Sequence, residues 1–552
     1  MGARLEIVEA VLALMAACVG FSLVARRLKL PYAVILVLGG MVLALVPGLP
    51  AVRLDPELAL AFFVPPLLQG SAYRTDWRAF RSNLRPILLL AVGCVLFTAA
   101  CVAGVARWLV PDMPWAAAVA LGAIVAPPDA VAAAAVLSRL RLPRQVVSVL
   151  EGESLINDAS SLVLYKLALG AVAAGAISPW QGLAQFLLLG TGGVAVGWAI
   201  GRAGVWAAMR LEDVLLTTVA SFLACYASYL LAEAIHVSGV MAVVTTGAVL
   251  GLAQHRFSGA VRLETRTVWE FVEFLLNSLV FILIGLQLNQ ILQRLDATGG
   301  TLHLLGLGAI MALTLVVTRF LWLVPGIFAT RLIPLARRHL SGAAGQPAAT
   351  EANWRHVAII GWSGMRGVVS LAAALALPLD FPYRDLIVFL SFAAILATLV
   401  LQGTTLEPLI RWLRAEEPPH EGGIHPEEAE GRRLAAAAAL ASIEARLDDP
   451  LDGAIAADMV SEFRDRAGHL HRTAQNRGAA AAERAARRAI RLSALEASRT
   501  ALMAHHTDGH LEAEVMVRLE TELDLEEIRI RQALGDERTE AQKRAAKRPQ
   551  TA

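Results

Sequence analysis

The sequence predicts an all-α, polytopic membrane protein of about thirteen transmembrane helices with a helical C-terminal region, and three observations predict it. The 552 residues are 56% hydrophobic and only 17% charged, with a mean hydropathy of +0.57, well above the balance of a soluble domain. The apolar residues gather in runs long enough for a helix to cross ~30 Å of hydrocarbon at about 1.5 Å per residue, and the period-two alternation of a β-barrel is absent. Charge is partitioned as well: up to Arg414 it sits mostly in short loops, and beyond Arg414 the chain is densely charged.

The runs cover residues 5–24, 30–47, 56–72, 86–109, 114–138, 146–175, 180–209, 212–234, 238–254, 269–292, 302–333, 355–378 and 385–412. The first contains Glu6 and Glu9, is followed by Arg26-Arg27 and has no small-residue cleavage site, so it reads as a retained span, not a signal peptide. Loops after odd-numbered runs are basic: Arg26-Arg27-Lys29, Arg74/Arg78/Arg81/Arg85, Arg139/Arg141/Arg144, Arg256/Arg262/Arg266 and Arg337-Arg338. The loops 48–55, 176–179, 235–237 and 379–384, after even-numbered runs, hold Arg53 and Arg384 at most. Basic loops favour the cytoplasmic side, so the N-terminus is expected outside and the C-terminus inside.

The chain is thus expected to divide into a transmembrane domain, 1–414, and a cytoplasmic helical region, 415–552. The latter opens with a Pro/Gly/His/Glu linker, Glu416–Pro426, and continues in Ala/Arg/Glu/Leu-rich stretches, including Arg432–Leu447 and Ala479–Ala504. It reads either as a regulatory module or as a solvated tail that aids folding or dimer contact. The net charge of +2 and a tail without aromatic interleaving exclude a nucleic-acid face. Cys18, Cys94, Cys101 and Cys225 lie within apolar runs and read as packing residues. No phosphate-binding loop, His-Glu-x-x-His pair or Gly-x-Ser-x-Gly elbow occurs, so no cofactor is expected.

Ionisable groups inside a span are expensive and mark function. In the fifth run, Pro127-Pro128-Asp129 sets two prolines and an acid mid-span. Each proline removes a backbone donor, so either an interrupted helix or a simple kink is expected there. The sixth run holds Glu151-Gly-Glu153-Ser154-Leu-Ile-Asn157-Asp158. Helical spacing puts Glu151, Ser154 and Asp158 on one face, with Glu153 and Asn157 on another. In the twelfth, Arg366 stands among glycines between apolar flanks. A buried Arg stays charged and needs a carboxylate, and Glu153 is the expected partner, in a pair tying the sixth run to the twelfth. Arg319 in the eleventh run is a second buried base, or one that snorkels to the cytoplasmic face.

These residues resemble the bacterial sodium/proton antiporters of the monovalent cation:proton antiporter family, relatives of the animal sodium/proton exchangers. The resemblance spans all thirteen runs and rests on Glu151-Gly-Glu-Ser-Leu-Ile-Asn-Asp158, Pro127-Pro-Asp-Ala-Val-Ala132, Phe63-Val-Pro-Pro-Leu-Leu68 and Met365-Arg-Gly-Val-Val-Ser370. It implies an inverted-repeat fold with crossed broken helices, a dimerisation domain and a mobile core. It also implies a homodimer in the bacterial cytoplasmic membrane, exchanging Na⁺, K⁺ or Li⁺ for H⁺ with no cofactor. Under it, Asp158 looks like the ion- and proton-binding carboxylate, Asn157 its paired amide, Asp129 the acid of the broken helix and Ser154 an added oxygen ligand. Glu153 and Arg366 look like the family's stabilising ion pair. Two departures concern selectivity: Pro128 stands where many relatives have Thr, and Gln69-Gly70 where relatives often carry an acid.

Burial disfavours a charged carboxylate and a bound cation favours it, so one site can hold either a proton or a cation. If only the loaded site crosses the membrane, exchange is coupled. Asn157 beside Asp158, in place of a second acid, points to electroneutral one-for-one exchange. The alternatives are a regulated K⁺ efflux protein or channel-like pathway, for which no repeated Thr-Val-Gly filter is visible, and a membrane-embedded protease, for which no nucleophile or metal motif accompanies the acids.

Overall fold

A computed structural model describes residues 2–45, 56–137, 140, 142–174, 179–211, 213–295, 301–332, 354–416, 426–449, 452–475, 477–507 and 513–532. Among them the chain is helical throughout and contains no strand. It divides into two compact units, Met1–Glu417 and Pro418–Ala552. Of the residues weighed above, Arg53, Arg139, Arg141, Arg337, Arg338 and linker positions 417–425 lie outside the described residues.

In the first unit the helices are α1 (Gly2–Leu28), α2 (Tyr32–Ala44), α3 (Pro56–Arg74), the short α4 (Trp77–Ser82), α5 (Leu84–Leu109, with a π-helical turn at Leu89–Cys94), α6 (Trp115–Val125), α7 (Ala130–Leu137) and α8 (Arg144–Ala174). There follow α9 (Pro179–Arg210), α10 (Val214–Ala234), α11 (Gly239–Ala253), α12 (Gly259–Leu295), α13 (Thr301–Leu332), α14 (Trp354–Trp362), α15 (Val368–Leu375) and α16 (Arg384–Trp412). Each of the thirteen runs is occupied by one helix, except that the fifth and twelfth each hold two half-helices, α6/α7 and α14/α15. Seven helices are long and apolar enough to cross a membrane among the described residues, and α2 and α6 are shorter apolar helices. The chain is therefore polytopic.

Local chemistry sets the boundaries. Proline stands at the first position of α3 and α9, where its missing N–H is not needed. Asp76, Asp213 and Ser238 cap α4, α10 and α11 by accepting backbone N–H groups of the first turn. Side chains such as Trp180, Leu188 and Trp198 on α9 are exposed, which suits a helix solvated by lipid. By contrast α2 and α12 press together, since a Cβ at Gly40 would strike the Ile282 carbonyl and one at Gly285 the Val37 carbonyl. None of the four cysteines forms a disulfide.

The second unit has four described helices, α17 (Pro426–Glu444), α18 (Gly453–Gln475), α19 (Arg477–Thr507) and α20 (Ala513–Gln532). Arg464 of α18 meets Glu444 of α17 at 2.9 Å, and Arg499 of α19 reaches both Asp524 and Glu527 of α20. Such exposed pairs fix the register of a helical hairpin more than its stability.

Candidate functional site

The site grows from the interruption in the fifth run. Pro127 and Pro128 bring no N–H to continue α6, and Asp129 donates its own to the Met365 carbonyl at 2.6 Å, joining this break to the one between α14 and α15. Carbonyls at the end of α6 are left without helical donors, which is untenable in hydrocarbon unless other groups supply them. Arg366 does so: Nε donates to Val125 O at 2.9 Å, Nη2 to Ala126 O at 3.4 Å and Nη1 to Gly364 O. Asn157 Nδ2 donates to Pro128 O at 2.8 Å. A cation thus sits at the negative end of half-helix α6.

The opposite polarity is met by Asp129. Its carboxylate lies against Gly367, the cap residue of α15, so closely that any Cβ at position 367 would collide with it. An acid here faces the positive end of a half-helix. The two breaks are therefore held open by complementary charges, Arg366 on freed carbonyls and Asp129 at a helix start.

The expected Glu153–Arg366 pair is not what forms. Glu153 accepts from Arg319 of α13 through both oxygens, at 2.7 and 2.8 Å, while Arg319 Nε donates to Ile360 O at 3.0 Å. The physical reason is that the Arg366 fork is already occupied by the Val125, Ala126 and Gly364 carbonyls at the two breaks. Glu153 turns instead to α13, and Arg319, only 2% exposed, does not snorkel.

Glu151, Ser154 and Asp158 of α8 line a cavity of about 430 Å³ together with Asp129. Asp158 is 7% exposed, whereas Glu151, Arg74 and Glu270, which also line the cavity, are exposed and mark its mouth. Asn157 is fully buried and is not among the lining residues; its amide serves the Pro128 carbonyl, and its Oδ1 accepts no hydrogen bond among the described residues. Gln69 also turns elsewhere, donating to Ser221 O at 2.9 Å. Two turns beyond Asp158 on α8, Lys166 donates to both oxygens of Glu233 on α10 at 2.8 Å. Among the described residues no three His, Cys, Asp or Glu side chains cluster as a resident metal would require.

Sequence reasoning missed the other wall. Arg74 of α3 binds Glu273 of α12 with both prongs, at 2.7 and 2.6 Å, and Glu273 and Asn277 line the cavity. The signal was present: Glu270, Glu273 and Asn277 recur at helical spacing in an apolar run. By position alone Arg74 is one of the bases of the loop after the third run, yet it closes α3 and faces Glu273.

Known proteins resemble this chain. A family profile described as sodium/hydrogen exchanger, transmembrane, matches residues 11–412. An uncharacterized Na(+)/H(+) exchanger of Mycobacterium tuberculosis (strain ATCC 25618 / H37Rv) is 31% identical over 542 residues, covering 94% of this chain and 95% of its own. The sodium, potassium, lithium and rubidium/H(+) antiporter of Bacillus pumilus is 32% identical over 423 residues, 74% of this chain and 61% of its own. In fold, the solved sodium proton antiporter MjNhaP1 of Methanocaldococcus jannaschii superposes with a TM-score of 0.57 at 19% identity, over 75% of this chain and 99% of that one. The matched region contains both breaks, the cavity and the α8 acids, and the chain belongs to the sodium/hydrogen exchanger family.

Proposed function

We propose that this chain is a secondary transporter that exchanges Na⁺, with K⁺ or Li⁺ as further cations, for H⁺ across the bacterial cytoplasmic membrane. The observation that carries the reading is Asp158, buried and yet lining a cavity shared with Asp129 and opening at exposed Glu151. A carboxylate there can be neutralised by a proton or by a small cation, and the two compete. Asp158 is the exchanging acid, Asp129 and the Ser154 hydroxyl are supporting ligands, and Asn157 positions the break by holding the Pro128 carbonyl. The transported ions are substrates, and the exchange calls for no resident cofactor and no catalysis.

Alternating access follows from asymmetry along α8. One end of the helix, at Glu151, meets the cavity mouth; the other, at Lys166, is tied to Glu233. That tie is part-exposed, 42% and 35%, and so is weak enough to break and re-form in a cycle. Arg74 at the mouth belongs to the Arg-rich loops, and this supports a mouth on the cytoplasmic side, with the N-terminus outside and the C-terminal region, 415–552, in the cytoplasm. Family membership supports a homodimer, with residues 1–414 as the exchanging domain. The Bacillus relative's name supports the breadth of cations.

A dye-quench titration in inverted vesicles tests this. Na⁺, K⁺ or Li⁺ should each dissipate a preset pH gradient in a saturable way, and an imposed membrane potential should leave the rate unchanged if exchange is one-for-one. Cation flux without proton movement would favour the channel reading instead.

A further inference from the structure

We propose that Asn277 is a ligand for the transported cation, contributed by α12, and that it sets the preference among monovalent cations; the inference rests on the exchange reading of Asp158. Three observations point to it. Asn277 lines the same cavity as Asp129, Ser154 and Asp158. It is only 5% exposed. Its Oδ1, a good acceptor, receives no hydrogen bond among the described residues. A buried amide carbonyl is normally paired, and an unpaired one on a residue that lines a cavity with Asp129 and Asp158 is poised for a ligand that arrives there.

Its place on the helix adds direction. Glu270, Glu273 and Asn277 follow one another at steps of three and four residues, so they share a face of α12. Along that face exposure falls inward, from 53% for the Glu270 side chain to 13% for Glu273 and 5% for Asn277. Both Glu273 oxygens are held by Arg74. Inward of that ion pair, Asn277 Oδ1 is the next side-chain oxygen on this face that can serve a passing cation.

The chemistry suits an exchanger. Alkali cations take oxygen ligands, and discrimination between them depends on the number and placement of those oxygens. A neutral carbonyl adds a ligand without a third negative charge beside Asp129 and Asp158. It therefore tightens cation binding while leaving the proton competitor, which needs a titratable base, unaffected. Asn277 belongs to α12 and the acids to α8 and the α6/α7 break, so the complete ligand set forms where these elements meet.

The test uses the full chain in proteoliposomes, measuring KM for Li⁺, Na⁺ and K⁺ separately in the wild type and in Asn277→Ala, Asn277→Asp and Asp158→Asn. Asn277→Ala should raise the cation KM by about tenfold, unequally across the three cations, without moving the pH at which protons compete. Asn277→Asp, isosteric and with the ligand oxygen kept, should retain cation binding with an altered preference among the three cations, and its added charge and titratable group should make that binding more sensitive to pH. If Asn277→Ala fails to fold, the Asn277→Asp ratios decide. KM ratios equal to the wild type in a folded Asn277 variant, with Asp158→Asn inactive, overturn this inference alone. Exchange persisting in Asp158→Asn overturns the site reading and this inference with it.

Discussion

Arg319 grips Glu153 with both prongs of its guanidinium, at 2.7 and 2.8 Å, and each side chain is only 2% exposed. Removing either partner strands a charge in the apolar interior, at about 3–5 kcal/mol. Glu153→Leu and Arg319→Leu should each lower the melting temperature of the solubilised protein markedly, and the double variant should recover part of the loss. A double variant no more stable than the worse single one would show that the charges do not depend on each other. The part-exposed Lys166–Glu233 pair provides the contrast, since its loss should cost at most ~1 kcal/mol.

Arg366 serves a different purpose. Its fork spans carbonyls of Val125, Ala126 and Gly364, three acceptors that one ammonium cannot reach in the same plane. Arg366→Lys should therefore behave as a severe substitution, destabilising by about 2–4 kcal/mol as charged hydrogen bonds are lost. Thermal unfolding in detergent checks this, and a Lys variant as stable as the wild type would show that the freed carbonyls find other donors.

The contrast between the two double prolines shows how far the sequence could be read. Pro127-Pro128 and Pro65-Pro66 look alike in apolar runs, yet α3 continues through Pro65-Pro66 while the fifth run is interrupted. What differs lies on other helices. The Phe62 carbonyl, deprived of its donor by Pro66, receives one hydrogen bond from Tyr226 at 3.1 Å, whereas the carbonyls around Pro127-Pro128 receive donors from Arg366 and Asn157. The thirteen runs, the tail helices and the shared face of Glu151, Ser154 and Asp158 follow from hydropathy and helical period, which are local. The partner of Glu153, the employment of Asn157 and the wall formed by Glu273 and Asn277 depend on contacts between residues more than a hundred positions apart in the first and third cases. No local pattern encodes those contacts, although the helical recurrence of Glu270, Glu273 and Asn277 marks one polar face of α12.

Gly367 supplies a steric prediction. The Asp129 carboxylate occupies the space a Cβ at 367 would take. Gly367→Ala should displace Asp129 from the cavity and lower cation affinity by tenfold or more, about 1.4 kcal/mol, together with a lower melting temperature, because the new Cβ also meets Asp129 Cβ at 2.7 Å. An unaltered KM would mean that Asp129 does not hold the cation.

Competition for one acid also fixes the pH response. Where the site is mostly protonated, each unit of falling pH should raise the apparent KM for Na⁺ about tenfold, because one proton must leave for each cation bound. Above that range KM should level off. Exchange assays at fixed potential over several pH units measure the slope; a slope of two would indicate two protons, and a flat profile would separate proton and cation sites.

The central claim is that the Asp158 carboxylate carries proton and cation in turn. Asp158→Asn retains the size and polarity of the side chain and removes its charge, so the protein should fold as before. Reconstituted into proteoliposomes, it should show cation-driven proton movement no greater than protein-free vesicles. Exchange at the wild-type rate would place the exchanging group elsewhere and contradict the account.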